Sequence, residues 1–296
     1  MFKTEKLTQW QFVIIICVSV LGTEVFNIAA FPAHYAKQDA WISILLAPIT
    51  SIWCVLVSTT LASRYPNMTI IEYSRSILGR WISLLVKAYY FCFLFVYTTV
   101  ISKVITDLVA VISHQFTPHV VLLFMLFIVC GIAAWCGIGV IGRSGEIIFP
   151  IIIFIAFLIF VISMRDWNVT YLKPVAESGL LSIIRGASVP SGWLGETILI
   201  AFLIPFMNKP SHARKASLYS TVIITIFMLK TVLICTLIEG PLVSKFPFPY
   251  GALIRYISLG DVLERLDPVF FSNLDFSRFS KVGHIPLCFL SLCQSD

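Results

Sequence analysis

Seven apolar runs, all but one long enough to approach or exceed a bilayer crossing and set apart by polar turns, restrict this chain more than any other feature. They extend from about Trp10 to Pro32, Trp41 to Ala62, Trp81 to Ile112, Val120 to Gly139, Ile147 to Met164, Trp193 to Asn208 and Ala216 to Ile238. A helix needs about 20 such residues to cross a hydrocarbon core roughly 30 Å thick. A soluble core has no use for so many of them. With 58% hydrophobic and only 12% charged residues, the chain is expected to be an all-α integral membrane protein. No small-residue cleavage site follows the first run, which is read as a span and not as a signal peptide.

The basic residues set the orientation. With the N-terminus inside, the inner segments carry Lys3, Lys6, Arg64, Arg75, Arg80, Arg143, Lys209, Arg214 and Lys215, while the short outer loops carry Lys37 alone. That bias predicts a cytoplasmic N-terminus. It also accounts for the net charge of +6 without a nucleic-acid partner.

Cys17, Cys54, Cys92, Cys130, Cys136 and Cys235 fall inside spans and form no C-x-x-C pair. They read as small hydrophobes. His34, His114, His119 and His212 are scattered near loops. No His–carboxylate metal motif, nucleophile elbow or phosphate loop is present, so neither a cofactor nor an enzyme activity is expected.

The sixth run is the irregular one. Gly192-Trp193-Leu194-Gly195-Glu196-Thr197 leads through Phe206 to Asn208-Lys209-Pro210, with Pro205 inside. Trp193 to Asn208 is 15 steps, about 22 Å at roughly 1.5 Å per residue. A short, glycine-interrupted, charged span is the best sequence pointer to a transporter binding site. A tilted helix with Glu196 at the outer interface is the plainer alternative.

The first run shares the pattern. Leu21-Gly22-Thr23-Glu24, then Asn27, sit in its middle. An ionisable group at that depth is a functional candidate by default. A discontinuous helix and an ordinary small-residue packing face both fit. The candidate ligand-binding set is therefore Gly22, Thr23, Glu24, Gly192, Gly195 and Glu196.

Three further segments are readable. Lys103 and Asp107 are four apart and share a helix face. The connection from Arg165 to Ser191 is polar, with a short interfacial helix expected over 177–186. Another interfacial helix is expected over 255–267, beyond the turns at Gly240-Pro241, Pro247 and Pro249.

From Ser272 to Asp296 the character changes to polar and aperiodic. The chain is thus expected to hold a permease-like domain over 1–271 and an atypical tail over 272–296. Codons can be chosen for Phe271 to Phe279 that, read one base later, open an apolar span. That motivates a frameshift near Phe271 as one origin of the tail. A natural soluble tail is the other.

Several small motifs together resemble one family. They are Leu7-Thr8 with Gln11; Leu21-Gly22-Thr23 followed by Phe31-Pro32; and Tyr65-Pro66 with Ile70-Ile71-Glu72-Tyr73 and Ile77-Leu78-Gly79. Gly195-Glu196 with Pro205 and Asn208-Lys209-Pro210, and the run from Arg255 to Asp267, complete the set. Over about residues 7–270 the chain resembles the spore germination permeases, the B subunits of nutrient germinant receptors in spore-forming bacteria. These belong to the amino acid–polyamine–organocation superfamily. The resemblance implies ten helices in two inverted five-helix repeats, with the first and sixth helices broken at the ligand site. A chain of about seven spans would be C-terminally truncated relative to that pattern.

The resemblance further implies a spore inner-membrane location and A and C subunits as partners. It implies a small nutrient ligand of the amino acid class, held between spans one and six. Half-helix N-termini would hold its carboxylate. Gly22, Thr23, Gly192 and Gly195 would let the backbone approach it, and Glu24 and Glu196 would meet its amino group or titrate with a proton. A proton-coupled amino acid transporter would use the same pocket.

Overall fold

The computed structural model describes residues 6–24, 27–65, 68–112 and 119–256. It is all-α: α1 Gln9–Glu24, α2 Ala30–Ala36, α3 Ala40–Leu46, α4 Pro48–Arg64, α5 Ile70–Ile112, α6 His119–Cys136, α7 Ile138–Ser163, α8 Leu180–Gly195, α9 Ile200–Leu203, α10 Ala213–Glu239 and α11 Pro249–Tyr256. Among the described residues, five helical stretches are long and apolar enough to cross a membrane: Ala30–Arg64, Ile70–Val104, Ile138–Asp166, Leu180–Phe206 and Pro210–Lys245. The tail 272–296 and the expected helix beyond Tyr256 lie outside the described residues.

α1 is the axis of the bundle. Phe12, Ile14, Ile15 and Cys17 are wholly buried, and Val13, Ile16, Val18, Val20 and Leu21 nearly so. A helix apolar on every face belongs inside, with neighbours all round. It packs on α7 and α10. Those neighbours present small residues where it approaches. A Cβ on Gly145 of α7 would lie 2.9 Å from Ile14 Cγ2, and one on Gly142 would lie 3.1 Å from Leu7 Cδ2. On α10, Ala213, Ala216, Ser217, Ser220 and Ile224 are buried at helical spacing. Ser220 Oγ donates to Val13 O at 3.5 Å and to Ala216 O at 3.0 Å. Small-residue stripes bring helices together where lipid supplies no hydrophobic drive.

Two helix starts come from capping boxes. Thr8 N–H donates to Gln11 Oε1 at 3.0 Å and Gln11 N–H to Thr8 Oγ1 at 3.1 Å. Thr69 N–H donates to Glu72 Oε2 at 2.6 Å and Glu72 N–H to Thr69 Oγ1 at 3.4 Å. Each pair satisfies amides that a helix leaves open at its first turn. The second box moves the helix expected from Trp81 back to Ile70. Gly79, at φ 77° and ψ 176°, then turns the chain between a short leg and the long one. That conformation favours glycine.

The polar turn expected between spans four and five is absorbed into α7, which carries both Arg143 and Glu146. The turn itself falls at Gly137, with φ 87°. Glu146 accepts a hydrogen bond from Gln11 Nε2 at 3.2 Å.

The largest correction concerns span six. It does not begin at Trp193. α8 begins at Leu180 and runs with the following 3₁₀ and α turns to Phe206, 27 residues in all. At roughly 1.5 Å per residue that is about 40 Å, long enough to cross. Arg185, Ser188 and Pro190 made this stretch look like a connection. In fact Ile183, Gly186, Ala187, Pro190 and Leu194 form one buried stripe. Gly186 lets α8 close on α2 and α3: a Cβ there would lie 2.6 Å from Ser43 Oγ and 3.3 Å from Pro32 O. Ser43 Oγ donates to Ile183 O at 2.8 Å.

The connection before α8 is tied down by a carboxylate. Asp39, fully buried, accepts from Ala176 N–H at 2.7 Å and Ser178 N–H at 3.0 Å. Ser178 Oγ donates to Ala36 O at 2.7 Å. A buried charge needs such partners.

Candidate functional site

Span one is interrupted where its polar residues lie. α1 ends at Glu24, Asn27–Ala29 form a turn, and α2 starts at Ala30. Gly22 is buried near the end of α1. Thr23 and Glu24 belong to the last turn of α1, and their side chains lie outside the described residues. Asn27 Oδ1 is buried and has no hydrogen-bond partner among the described residues. An orphaned buried acceptor is unusual and points to a group that would complete it.

Span six is irregular in a different way from the one expected. Glu196–Leu199 is a 3₁₀ turn, Ile200–Leu203 returns to α, and Ile204–Phe206 is again 3₁₀. The backbone stays right-handed helical through Glu196, Leu199 and Ile204. The helix is tightened here and not unwound. The amides at Glu196 and Ile200 therefore still bond to carbonyls three or so residues back. A mid-helix 3₁₀ stretch of this sort is where hinges and strained functional segments occur.

Each candidate in span six has its own surroundings. Glu196 is half-buried, and Tyr97 of α5 donates its hydroxyl to Glu196 Oε2 at 2.6 Å. Gly195 faces α4, with Thr50 Cγ2 3.8 Å from where a Cβ would sit. Gly192 lies one turn before Glu196 and so shares its face. It is exposed, and nothing stands within 4 Å of its missing side chain. Thr197 points the other way, into the bundle. It donates to Leu194 O at 2.7 Å and meets Ser51 Oγ at 3.1 Å, which in turn lies 2.8 Å from Thr221 Oγ1. These three buried hydroxyls fasten the 3₁₀ turn to α4 and α10.

The structure brings the two irregular spans into contact. α1 touches both α8 and the Glu196–Leu199 turn. Beyond the interruption, Phe31 of α2 meets the Trp193 ring edge-to-face at 5.9 Å. Tyr97, Ser51 and Thr221 were not found from sequence. Each is a common residue in an apolar run, with no local pattern to mark it. Asn27 was visible as a polar residue in span one, but its orphaned oxygen was not.

The family model for spore germination proteins matches residues 6–289. The chain belongs to the spore germination protein family. It is 25% identical over 248 residues to spore germination protein YndE of Bacillus subtilis, covering 82% of this chain and 68% of that protein. It is 24% identical over 281 residues to spore germination protein KB of the same organism, covering 92% and 74%. Spore germination protein B2, also of that organism, is 24% identical over 273 residues, covering 90% and 73%. For this member of the spore germination family, two of the motifs carrying the sequence resemblance have a structural use. Thr8 with Gln11, and Glu72, build the capping boxes at α1 and α5. Gly195-Glu196 lies at the irregular turn of span six.

Proposed function

We propose that this chain is the membrane-embedded B subunit of a nutrient germinant receptor, sensing a small nutrient of the amino acid class on a transporter-like scaffold. It would sit in the spore inner membrane with its N-terminus in the cytoplasm, beside A and C subunits. The observation that carries this reading, with family membership, is Glu196. It is a half-buried carboxylate on a 3₁₀ turn of a spanning helix, bonded to the Tyr97 phenol, with the exposed Gly192 one turn before it on the same face. Ionisable groups at such depth are costly and mark ligand paths. Glu196 fits the amino group of the ligand. Asn27 Oδ1, an acceptor without a donor among the described residues, fits the same group or a ligand hydroxyl. The interrupted span one supplies backbone near the ligand through Gly22, Thr23 and Glu24, and Gly192 and Gly195 do the same in span six.

Signalling then needs only a difference in affinity between two conformations. The 3₁₀ turn, pinned by Thr197 to Ser51 and Thr221, is the element whose two arrangements the ligand would distinguish.

The test is germination of spores carrying this chain as their only B subunit, challenged with single amino acids. A nutrient-specific response that Glu196→Gln and Asn27→Ala shift to higher concentration supports the reading. If vesicles carrying the chain accumulate the amino acid and spores ignore it, the chain is a transporter. If spores neither respond nor vesicles accumulate, the ligand assignment is wrong.

A further inference from the structure

We propose that the elbow of α5 at Gly79 is a docking surface for an anionic phospholipid, with Arg75 and Arg80 meeting the phosphate and the exposed apolar side chains beside them meeting the acyl chains. This surface lies apart from Glu196 and does not rest on the germinant reading.

The short leg of α5, from Ile70 to the turn at Gly79, is an amphipathic ledge. Ile70, Ile71, Ser74, Ile77 and Leu78 recur at three- and four-residue spacing and share one face. Toward the start of the leg that face is covered. Ile70, Ile71 and Tyr73 are buried in one cluster with Ala201 and Phe202 of span six. Toward its end the same face runs past the bundle, and Ile77 and Leu78 are exposed. Glu72 and Arg75 take the opposite side and are exposed.

Two contacts hold the ledge in place. Tyr73 stacks on Tyr65, just past the end of α4, with ring centroids 5.8 Å apart. Across the turn, Ser74 Oγ lies 3.1 Å from Ser83 Oγ, and both residues are buried. Beyond the turn the exposed apolar surface resumes at Trp81, which is 81% exposed, and continues through Ile82 and Leu85.

Arg75 and Arg80 stand on either side of that turn, both exposed. Among the described residues neither pairs with a carboxylate. Glu72, the acid of the ledge, accepts from the Thr69 amide at 2.6 Å. The combination selects the occupant. An apolar overhang is favoured in hydrocarbon and costly in water, and a tryptophan beside it suits the headgroup level. Guanidiniums at that level match phosphate oxygens, which arginine takes by parallel N–H bonds. An acidic protein segment would answer the arginines but leave Ile77, Leu78 and Trp81 in water. A zwitterionic lipid brings a cation of its own beside the phosphate. A phospholipid of net negative charge satisfies both halves of the surface.

Brominated lipids test this, because they quench a tryptophan that they touch. The full chain is reconstituted in phosphatidylcholine with a minority of brominated phosphatidylglycerol or of brominated phosphatidylcholine. The signal of Trp81 is the difference between each protein and its Trp81→Phe counterpart. A basic residue near the surface gives about a fivefold preference for anionic lipid. Phosphatidylglycerol is therefore expected to outcompete phosphatidylcholine about thirtyfold at Trp81, and high salt should shrink that ratio. Arg75→Gln and Arg80→Gln should each remove about fivefold, and together the whole preference. Arg75→Lys with Arg80→Lys should keep most of it, which separates charge from loss of a packed side chain. Lys209→Gln with Arg214→Gln removes the same charge where the exposed neighbours are Asn208, Ser211 and His212. That pair should leave the Trp81 ratio within about twofold. Equal quenching by the two lipids in the wild type would mean that Arg75 and Arg80 answer to a partner protein. An equal loss in the Lys209 and Arg214 pair would mean that the general basic field holds the lipid. Either result overturns the assignment.

Discussion

Tyr97 and Glu196 are joined across α5 and span six by one hydrogen bond of 2.6 Å, phenol to carboxylate. It anchors the carboxylate that marks the irregular turn. The phenol orients the carboxylate. Tyr97→Phe removes the donor and keeps the ring. A hydrogen bond to a charged group contributes about 1.5–3 kcal/mol. The nutrient concentration for half-maximal germination should therefore rise about ten- to a hundredfold. In a Glu196→Gln background the same change should add little, because the two residues act as one unit. Additive effects in that double-mutant cycle would show that the bond has no part in recognition.

Gly192 and Gly186 look alike in sequence, and the structure separates them. A side chain on Gly186 would meet Ser43 Oγ at 2.6 Å, whereas one on Gly192 meets nothing within 4 Å. Gly186→Val should push α8 off α3, break the Ser43–Ile183 bond and lower stability by about 1–3 kcal/mol. Gly192→Ala should leave thermal unfolding in detergent unchanged or slightly raised, since alanine is the better helix former. If the ligand lies over Glu196, Gly192→Ala still shifts the germination threshold. An unchanged threshold would remove Gly192 from the site.

How far the sequence could be read follows from these cases. Apolar runs announce that helices cross, because bilayer thickness leaves few alternatives. They do not announce where helices begin. Leu180 to Ser191 holds Arg185, Pro190 and four serines and glycines, and so reads as a loop. The stripe from Ile183 to Leu194 is buried because the small residues on it admit α2 and α3, and that is a property of the neighbours. The same limit applies to the site. Glu196 stands out in any window of span six, as does Gly22-Thr23-Glu24 in span one. Tyr97, Ser51 and Thr221 come from three other helices and acquire meaning only when the chain brings them to one place. Capping residues such as Thr8 and Glu72 were visible as motifs, yet motif membership alone does not tell a helix cap from a ligand contact.

Asp39 offers a test of stability free of the ligand site. It is buried and bonded to the amides of Ala176 and Ser178, where it fixes the connection that leads into α8. Asp39→Ala should strand both amides and cost about 3 kcal/mol. Asp39→Asn keeps one acceptor and should cost roughly half of that. Limited proteolysis of the 165–179 segment should quicken in the same order. Equal rates in wild type and Asp39→Ala would mean the connection is held by other contacts.

A last pair ties the two irregular spans together at one end of the bundle. Leu7 and Met207 form an isolated parallel bridge: Leu7 N–H donates to Phe206 O at 2.7 Å, and Asn208 N–H to Leu7 O at 2.9 Å. Leu7 is wholly buried and lies over Gly142. Its side chain and its backbone therefore do separate jobs, and two variants divide them. Leu7→Ala opens a cavity against α7 and should lower stability by about 2–5 kcal/mol. Asn208→Pro leaves the packing in place but deletes one bridge donor, which is worth about 1 kcal/mol. If the bridge only braces the fold, the two variants should differ in thermal unfolding and share one germination threshold. If spans one and six move relative to each other when ligand binds, Asn208→Pro should shift the threshold more than its small stability loss explains. Measuring both quantities on both variants separates a brace from a moving joint.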